Sequence, residues 1–217
     1  MIKYFVRTTN NRNFEYDLKY TKLVDTKCKP VESFINQLKY ISSWDSVLLE
    51  DDLILCEDFK NKIEDVIKQY PNKIINFFTR PNDYFTTHES SIFAYNQCTY
   101  YPKGITKQIA IKMEEGFKKN PRAQYDVLEN NALKELGITH IQYRPCLVQH
   151  LDKDSLVGNY ANGYRRTPYF IDYLKELNID YKEAFETKNR NRLYDLLTTN
   201  KKRNFDFPIA IKAINKK

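Results

Sequence analysis

Glycine and proline are scarce, with 5 and 8 among 217 residues. That excludes collagen-like, low-complexity and linker-dominated chains. No apolar run approaches the ~20 residues of a membrane-spanning helix. The opening MIKYFVRTTNNR lacks the basic-then-apolar form of a signal peptide. Neither Gly-rich phosphate-loop pattern occurs, which excludes the P-loop and dinucleotide-binding folds. Cysteine is confined to Cys28, Cys56, Cys98 and Cys146, widely spaced and without a CxxC pair. That usage leads us to expect buried thiols in a reducing cytoplasm rather than disulfides or a zinc site.

What is abundant is charge and tyrosine. A 29% charged and 41% hydrophobic composition describes a globular chain able to bury a substantial core. Some of the 17 Tyr and 13 Phe must be core, and Tyr is also a stacking surface for sugars and bases. The net charge of +7 is unevenly placed. Lys188, Arg190, Arg192, Lys201, Lys202, Arg203, Lys212, Lys216 and Lys217 face only Asp195 and Asp206, so this last stretch holds the whole excess. A basic segment of this kind suits a polyanionic partner such as nucleic acid or a membrane surface, or is simply a solvated last helix and tail.

Hydrophobic periodicity predicts strands at Ile2–Arg7, Lys22–Asp25, Trp44–Leu49 and Lys73–Thr79. Between them, Pro30 opens a helix with Val31, Phe34, Ile35, Leu38 and Ile41 on one face. A second helix, capped by Glu57 or Asp58, carries Phe59, Ile63, Val66, Ile67 and Tyr70. Strand–helix–strand–helix–strand is the pattern of a parallel α/β sheet with right-handed crossovers. Further on, Ser91–Tyr95 and Cys98–Tyr101 suggest a hairpin turning at Asn96-Gln97. Helices are predicted at Gly104–Lys119 and Tyr125–Leu136, the latter ended by Gly137, and strands at Thr139–Tyr143 and Cys146–Gln149. After Gly163 the chain reads as helical. The expectation is an α/β fold with a mostly parallel central sheet over residues 1–160 and a basic helical extension over 161–217, packed on the same domain.

The segment SVLLEDDLILCEDF raises the chemical question. Glu50, Asp51 and Asp52 interrupt an apolar run without any of the usual turn residues. Crowded carboxylates at the end of a buried strand repel one another unless a cation sits among them. Mg²⁺ or Mn²⁺ takes oxygen ligands and often only one or two from protein. Strand alternation would put Glu50 and Asp52 on one face and Asp51 on the other. In parallel sheets ligands bind beyond the carboxyl ends of the strands, where this cluster falls. Arg7, Thr8 and Thr9 close the first strand and suit a nucleotide base or phosphate. His150 follows a strand, and Lys153 and Ser155 beyond it suit phosphate oxygens, with Gly158 allowing a turn over a ligand. Asp126 lies at the start of a predicted helix, where a carboxylate also favours the helix dipole. His88 and His140 have no such context.

WDSVLLEDDLILCEDF resembles the acidic-motif strand of GT-A-fold glycosyltransferases, and RPCLVQHLDKDSLVG is similar to the segment carrying their metal-binding histidine. YDVLENNALKELG, between them, is similar to the helix carrying their acidic catalytic residue. The likeness runs in order over Ile2–Gly158 and is greatest for short phage and prophage enzymes related to the lipooligosaccharide type. Cys146 stands where that pattern has Ser, and Tyr125 stands where it usually has a second carboxylate. The resemblance implies a GT-A-like, Rossmann-like domain with Asp52 and His150 as metal ligands for Mn²⁺ or Mg²⁺. It implies Asp126 as the general base or a carboxylate steering the sugar. Arg7, Thr8, Asp25, Glu50, Asp51, Lys153 and Ser155 would bind the nucleotide sugar, Glu50 facing the ribose or reaching the metal through water. The implied activity is transfer from a nucleotide sugar, a UDP-sugar first, to a hydroxyl. The acceptor could be hydroxymethylated phage DNA or another polyanion. A metal-dependent phosphohydrolase or nuclease is the second class, and a non-catalytic nucleic-acid-binding protein the third.

Overall fold

The computed structural model describes residues 1–9, 14–78 and 87–150, except for the side chains of Gln149 and His150. The expected helical extension over 161–217, and Lys153, Ser155 and Gly158, lie outside the described residues. In chain order the elements are β1 (Lys3–Thr9), β2 (Thr21–Asp25), α1 (Pro30–Ile41), β3 (Ser46–Glu50), β4 (Leu53–Leu55) and α2 (Phe59–Gln69). There follow β5 (Ile74–Asn76), β6 (His88–Ser90), β7 (Cys98–Tyr101), α3 (Ile105–Lys119), α4 (Tyr125–Glu135), β8 (His140–Gln142) and β9 (Val148–His150). Among the described residues no helix is long and apolar enough to cross a membrane.

Seven strands form one sheet in the order β2-β1-β3-β7-β5-β8-β6, and β4 and β9 form a separate pair. The pairs β1/β2, β1/β3 and β5/β8 are parallel, whereas β3/β7, β5/β7 and β6/β8 are antiparallel. Five strands therefore share one direction, yet half of the neighbouring pairs are antiparallel. This corrects the expected mostly parallel sheet to a mixed one, still compatible with a Rossmann-like arrangement. The repeated strand–helix units stop at β5, and β7 then inserts against the grain between β3 and β5.

The expected hairpin is also corrected. Ser91–Tyr95 is not a strand, and β7 pairs with β3 and β5 instead. Side chains hold this segment in irregular form. Asn76 Nδ2 donates to the carbonyls of Ala94 and Tyr95 at 2.9 and 3.1 Å. Tyr95 sits at φ 66°, which breaks any strand there. Asn96 and Gln97 do form the expected turn, but it leads into β7 without a partner strand before it, and Asn96 is buried.

Alternation along the strands feeds two cores. Tyr4, Val6, Val47, Leu49, Cys98 and Tyr100 face the layer of α2. Phe5, Leu48 and Tyr101 face the layer of α1, α3 and α4. On α1, Phe34, Ile35, Leu38 and Ile41 are buried as their spacing predicts, each stabilising the fold by about 1.5–3 kcal/mol. The second helix begins where expected, but Asp58 adopts φ 54° and makes no side-chain cap; its carboxylate accepts from Asn61 Nδ2 at 2.7 Å. Gly116 lets α3 approach α4 closely, since an added Cβ would meet Leu128 Cδ2 at 3.1 Å. Gly137, at φ 65°, ends α4 in the left-handed conformation its position predicts. The four cysteines are thiols, Cys28 exposed and the other three buried.

One buried titratable group lies at the far end of the sheet. His140 on β8 is fully buried and packs edge-on against Phe93, with ring centroids 4.9 Å apart. Arg144 donates to Gln142 Oε1 at 2.9 Å, which turns the Gln142 amide N–H towards His140 Nε2 at 3.3 Å. Nε2 therefore accepts, and the ring is neutral. Burial first, then the charges of His88 and Arg144, lower its pKa from 6.5 to about 4, with Glu89 opposing. The unfolded chain thus binds a proton that the native state refuses between these values. Stability from this residue is complete above about pH 6.5 and is lost as pH falls towards 4, on the order of 3 kcal/mol in all. Urea unfolding across that window should show His140→Gln less acid-sensitive than the wild type by this amount. Parallel pH profiles of the two proteins would refute it.

Candidate functional site

The carboxyl ends of β2, β1 and β3 lie side by side. Cα partners run Leu23–Arg7–Glu50 across the three strands, with Thr9 beside Asp25 two residues further. Arg7 and Glu50 both project towards the layer of α1, α3 and α4. The Arg7 guanidinium stacks 4.4 Å from the Phe34 ring and 4.6 Å from the Tyr125 ring. Its Nη1 lies 3.6 Å from Glu50 Oε1, and the Tyr125 hydroxyl donates to the same oxygen at 2.9 Å. Burial opposes the charge on Arg7, but Tyr125 and Glu50 outweigh it and raise its pKa. A permanently charged cation is thereby fixed under the end of the sheet. The Tyr125 phenol is pushed up by burial and by Glu50, so it remains a hydrogen-bond donor at any ordinary pH.

The acidic turn is built from the other face. Residues 51 and 52 form a bend, so strand alternation ends at Glu50. Thr8 Oγ1 donates to Asp51 Oδ2 at 2.6 Å. The Tyr16 hydroxyl donates to the Glu50 carbonyl at 2.6 Å and accepts from the Leu53 amide at 3.1 Å. One phenol thus does what a glycine or proline turn would otherwise do. Tyr16 is itself wedged against Phe14 and Tyr20, with centroids 5.4 and 5.9 Å away. Its pKa is raised by burial first, against the Leu53 hydrogen bond, and further by the charges of Asp52 and Asp51. Both aspartates therefore lie near Tyr16 while Glu50 turns to Arg7. The expected pairing of Glu50 with Asp52 on one face is replaced by this division, because the chain is not extended through the bend.

Immediately after the bend, β4 pairs with β9 in antiparallel register, Leu53 opposite His150. Tertiary folding thus brings the backbone of His150 beside the residue following Asp52. The three-residue acidic run could not have shown this, because the two segments are almost a hundred residues apart. Asp126 lies half-buried in the first turn of α4, next to Tyr125, and its Oδ1 accepts from the Val127 amide at 2.8 Å. It therefore stands at the same corner while also serving the helix start. Asp25, at the end of edge strand β2, lies beside Thr9 in the ladder, and its carboxylate turns to its own loop, where it accepts from the Lys27 amide at 3.0 Å.

No protein-family model matches the chain. No curated protein matches it either. The site must therefore be read from its own chemistry. Among the described side chains no three His, Cys, Asp and Glu gather in a metal-binding arrangement. Asp51 and Asp52 stand in one bend, and the backbone of His150 lies across the β4/β9 ladder from Leu53. Carboxylate oxygens are the donor type that hard cations such as Mn²⁺ or Mg²⁺ take.

Sequence reasoning missed Tyr16, Tyr125 and Glu129. Tyr16 belongs to an alternating run, Phe14, Tyr16, Leu18 and Tyr20, that packs on the α2 side of the sheet. Glu129 sits between Leu128 and Ala132 on the buried stripe of α4, and a carboxylate on that stripe was the available signal. Arg7→Met should leave Glu50 without its cation in a mostly buried place, lowering stability by about 3 kcal/mol in urea unfolding. Adding Glu50→Gln should recover part of that loss. Strictly additive losses would show that the two side chains are not coupled.

Proposed function

We propose that this corner binds a nucleotide sugar and transfers its sugar to a hydroxyl acceptor. The observation that supports it is convergence. Three segments distant in the chain meet beyond the carboxyl ends of β1 and β3: Arg7 with Thr8, the Glu50–Asp52 bend, and the start of α4 with Tyr125 and Asp126. The β4/β9 ladder adds His150. The bend, the start of α4 and the His150 segment are those in which the sequence resembles GT-A-fold glycosyltransferases, and the ends of parallel strands are where α/β sheets hold ligands.

In this reading Asp52 and His150 hold Mn²⁺ or Mg²⁺. A divalent cation there supplies compensation for diphosphate charge as the glycosidic bond breaks. Thr8 fixes Asp51, and Tyr16 fixes the backbone on which both aspartates stand, so the ligand-bearing bend is rigid before a donor arrives. Arg7 pairs with Glu50, so in this reading the metal falls to the bend that carries the aspartates. Glu50, held by Arg7 and Tyr125, faces the ribose. Asp126 takes the proton from the acceptor hydroxyl, an effect typically worth 10²–10⁴-fold. The basic stretch Lys188–Lys217 favours a polyanionic acceptor, hydroxymethylated DNA among them, whose target base would need to be extruded.

Calorimetric titration with UDP and UDP-glucose, with Mn²⁺ and with the metal chelated, tests the reading. Metal-dependent binding is expected, weakened at least about tenfold, or 1.4 kcal/mol, by Asp52→Ala and by His150→Ala. Failure of uridine, guanosine and cytidine nucleotides alike to bind would defeat it. Cleavage of phosphodiesters without a sugar donor would move the phosphohydrolase class to the front.

A further inference from the structure

Behind the Arg7–Glu50 pair lies a second buried carboxyl. Glu129, Tyr101 and Asn96 are 0%, 0% and 1% exposed, so their hydrogen bonds must be closed among protein groups. The Tyr101 hydroxyl oxygen lies 2.6 Å from Glu129 Oε1 and 3.2 Å from Asn96 Oδ1. Asn96 Oδ1 also accepts from Thr99 Oγ1 at 3.2 Å, and Asn96 Nδ2 donates to Glu129 Oε2.

Counting protons decides the state of this group. A phenol has one proton, and an ionised carboxylate is an acceptor only. If Glu129 were ionised, the Tyr101 proton would be drawn to it, and the Tyr101 and Asn96 oxygens would face each other with no hydrogen between them. With Glu129 protonated, its O–H donates to Tyr101 and the Tyr101 O–H donates to Asn96 Oδ1. Every link then carries one proton.

We propose that Glu129 holds a proton at neutral pH and acts as a positioning residue, leaving the charge of Arg7 to Glu50 and Tyr125 at the end of the sheet. Ionised Glu129 would compete for Arg7 and loosen its hold on Glu50. The charged and titratable groups around Glu129 are Tyr101 from β7, Arg7 from β1 and Asp126 one turn earlier on α4. Glu50 from β3 pairs with Arg7, and Tyr125 stands one turn before Glu129 on α4. The buried residues of α1 and α3 in this layer carry no charge. Burial is the largest influence on the Glu129 carboxyl and, with Asp126, pushes its pKa up to about 8 against the opposing pull of Tyr101, Arg7 and Asn96. The inference rests on the donor-site reading for its functional consequence alone: metal-dependent UDP binding should weaken through the same alkaline step.

Carbon-13 NMR of glutamate-labelled protein tests it directly, with Arg7 Nε followed in the same titration. One glutamate carboxyl should titrate near pH 8, and the Arg7 signal should step at the same midpoint. Both steps should vanish in Glu129→Gln, which keeps the shape of the side chain without its ionisation. Tyr101→Phe, which removes a donor to the ionised form, should move the midpoint higher still, and it serves if Glu129→Gln does not fold. All glutamates titrating near the ordinary 4.5, or an Arg7 step that persists in Glu129→Gln, would overturn the proposal. Intact steps without nucleotide binding at any pH would instead overturn the donor reading.

Discussion

A buried cation organises the end of the sheet where β1 and β3 finish. Arg7 closes the first strand with its guanidinium between two aromatic rings, in a layer made largely of apolar side chains. A charge in such a place is tolerable only with an opposite charge and hydrogen-bond partners beside it. Glu50 comes from the neighbouring strand and Tyr125 from a helix that begins 75 residues later. The need to satisfy Arg7 therefore joins β1, β3 and α4 at one point. It also assigns the three acidic residues of the turn to different tasks, since Glu50 is engaged below the sheet while Asp51 and Asp52 stay with the bend.

The bend depends on a second polar device on the opposite face. Tyr16 satisfies one carbonyl and one amide across the turn, and its ring belongs to an aromatic group packed on the α2 core. Hydrophobic burial thus fixes a ring, the ring fixes a phenol oxygen, and that oxygen fixes the backbone carrying the aspartates. The short β4/β9 ladder springs from the same turn. Rigid support of this kind is what a ligand site built from loops requires, because small displacements of charged groups weaken their action on a bound anion.

Regular elements were largely legible in the sequence. The apolar stripes of α1 and α2, the proline at the start of α1 and Gly137 after α4 are local signals, and each appears within a residue or two of its expected place. Legibility failed where side chains overrule local preference. Asn76 and Asn96 draw the segment before β7 away from a hairpin through contacts with residues 18 to 33 positions distant. The mixed character of the sheet follows from the same event, since β7 enters between two strands that a simple crossover pattern would have made neighbours.

The candidate site divides along the same line. The sequence by itself determined that carboxylates crowd the end of a buried strand, that Arg7 and Thr8 close the first strand, and that Asp126 opens a helix. Residue type and strand or helix period suffice for that, because they act over a few positions. Only the tertiary structure decided that Arg7 takes Glu50, that Thr8 takes Asp51, that Tyr16 holds the bend and that β9 lies against β4. Those partnerships arise because buried charges and backbone groups must find partners wherever the fold brings them, and no local pattern records the partner's address.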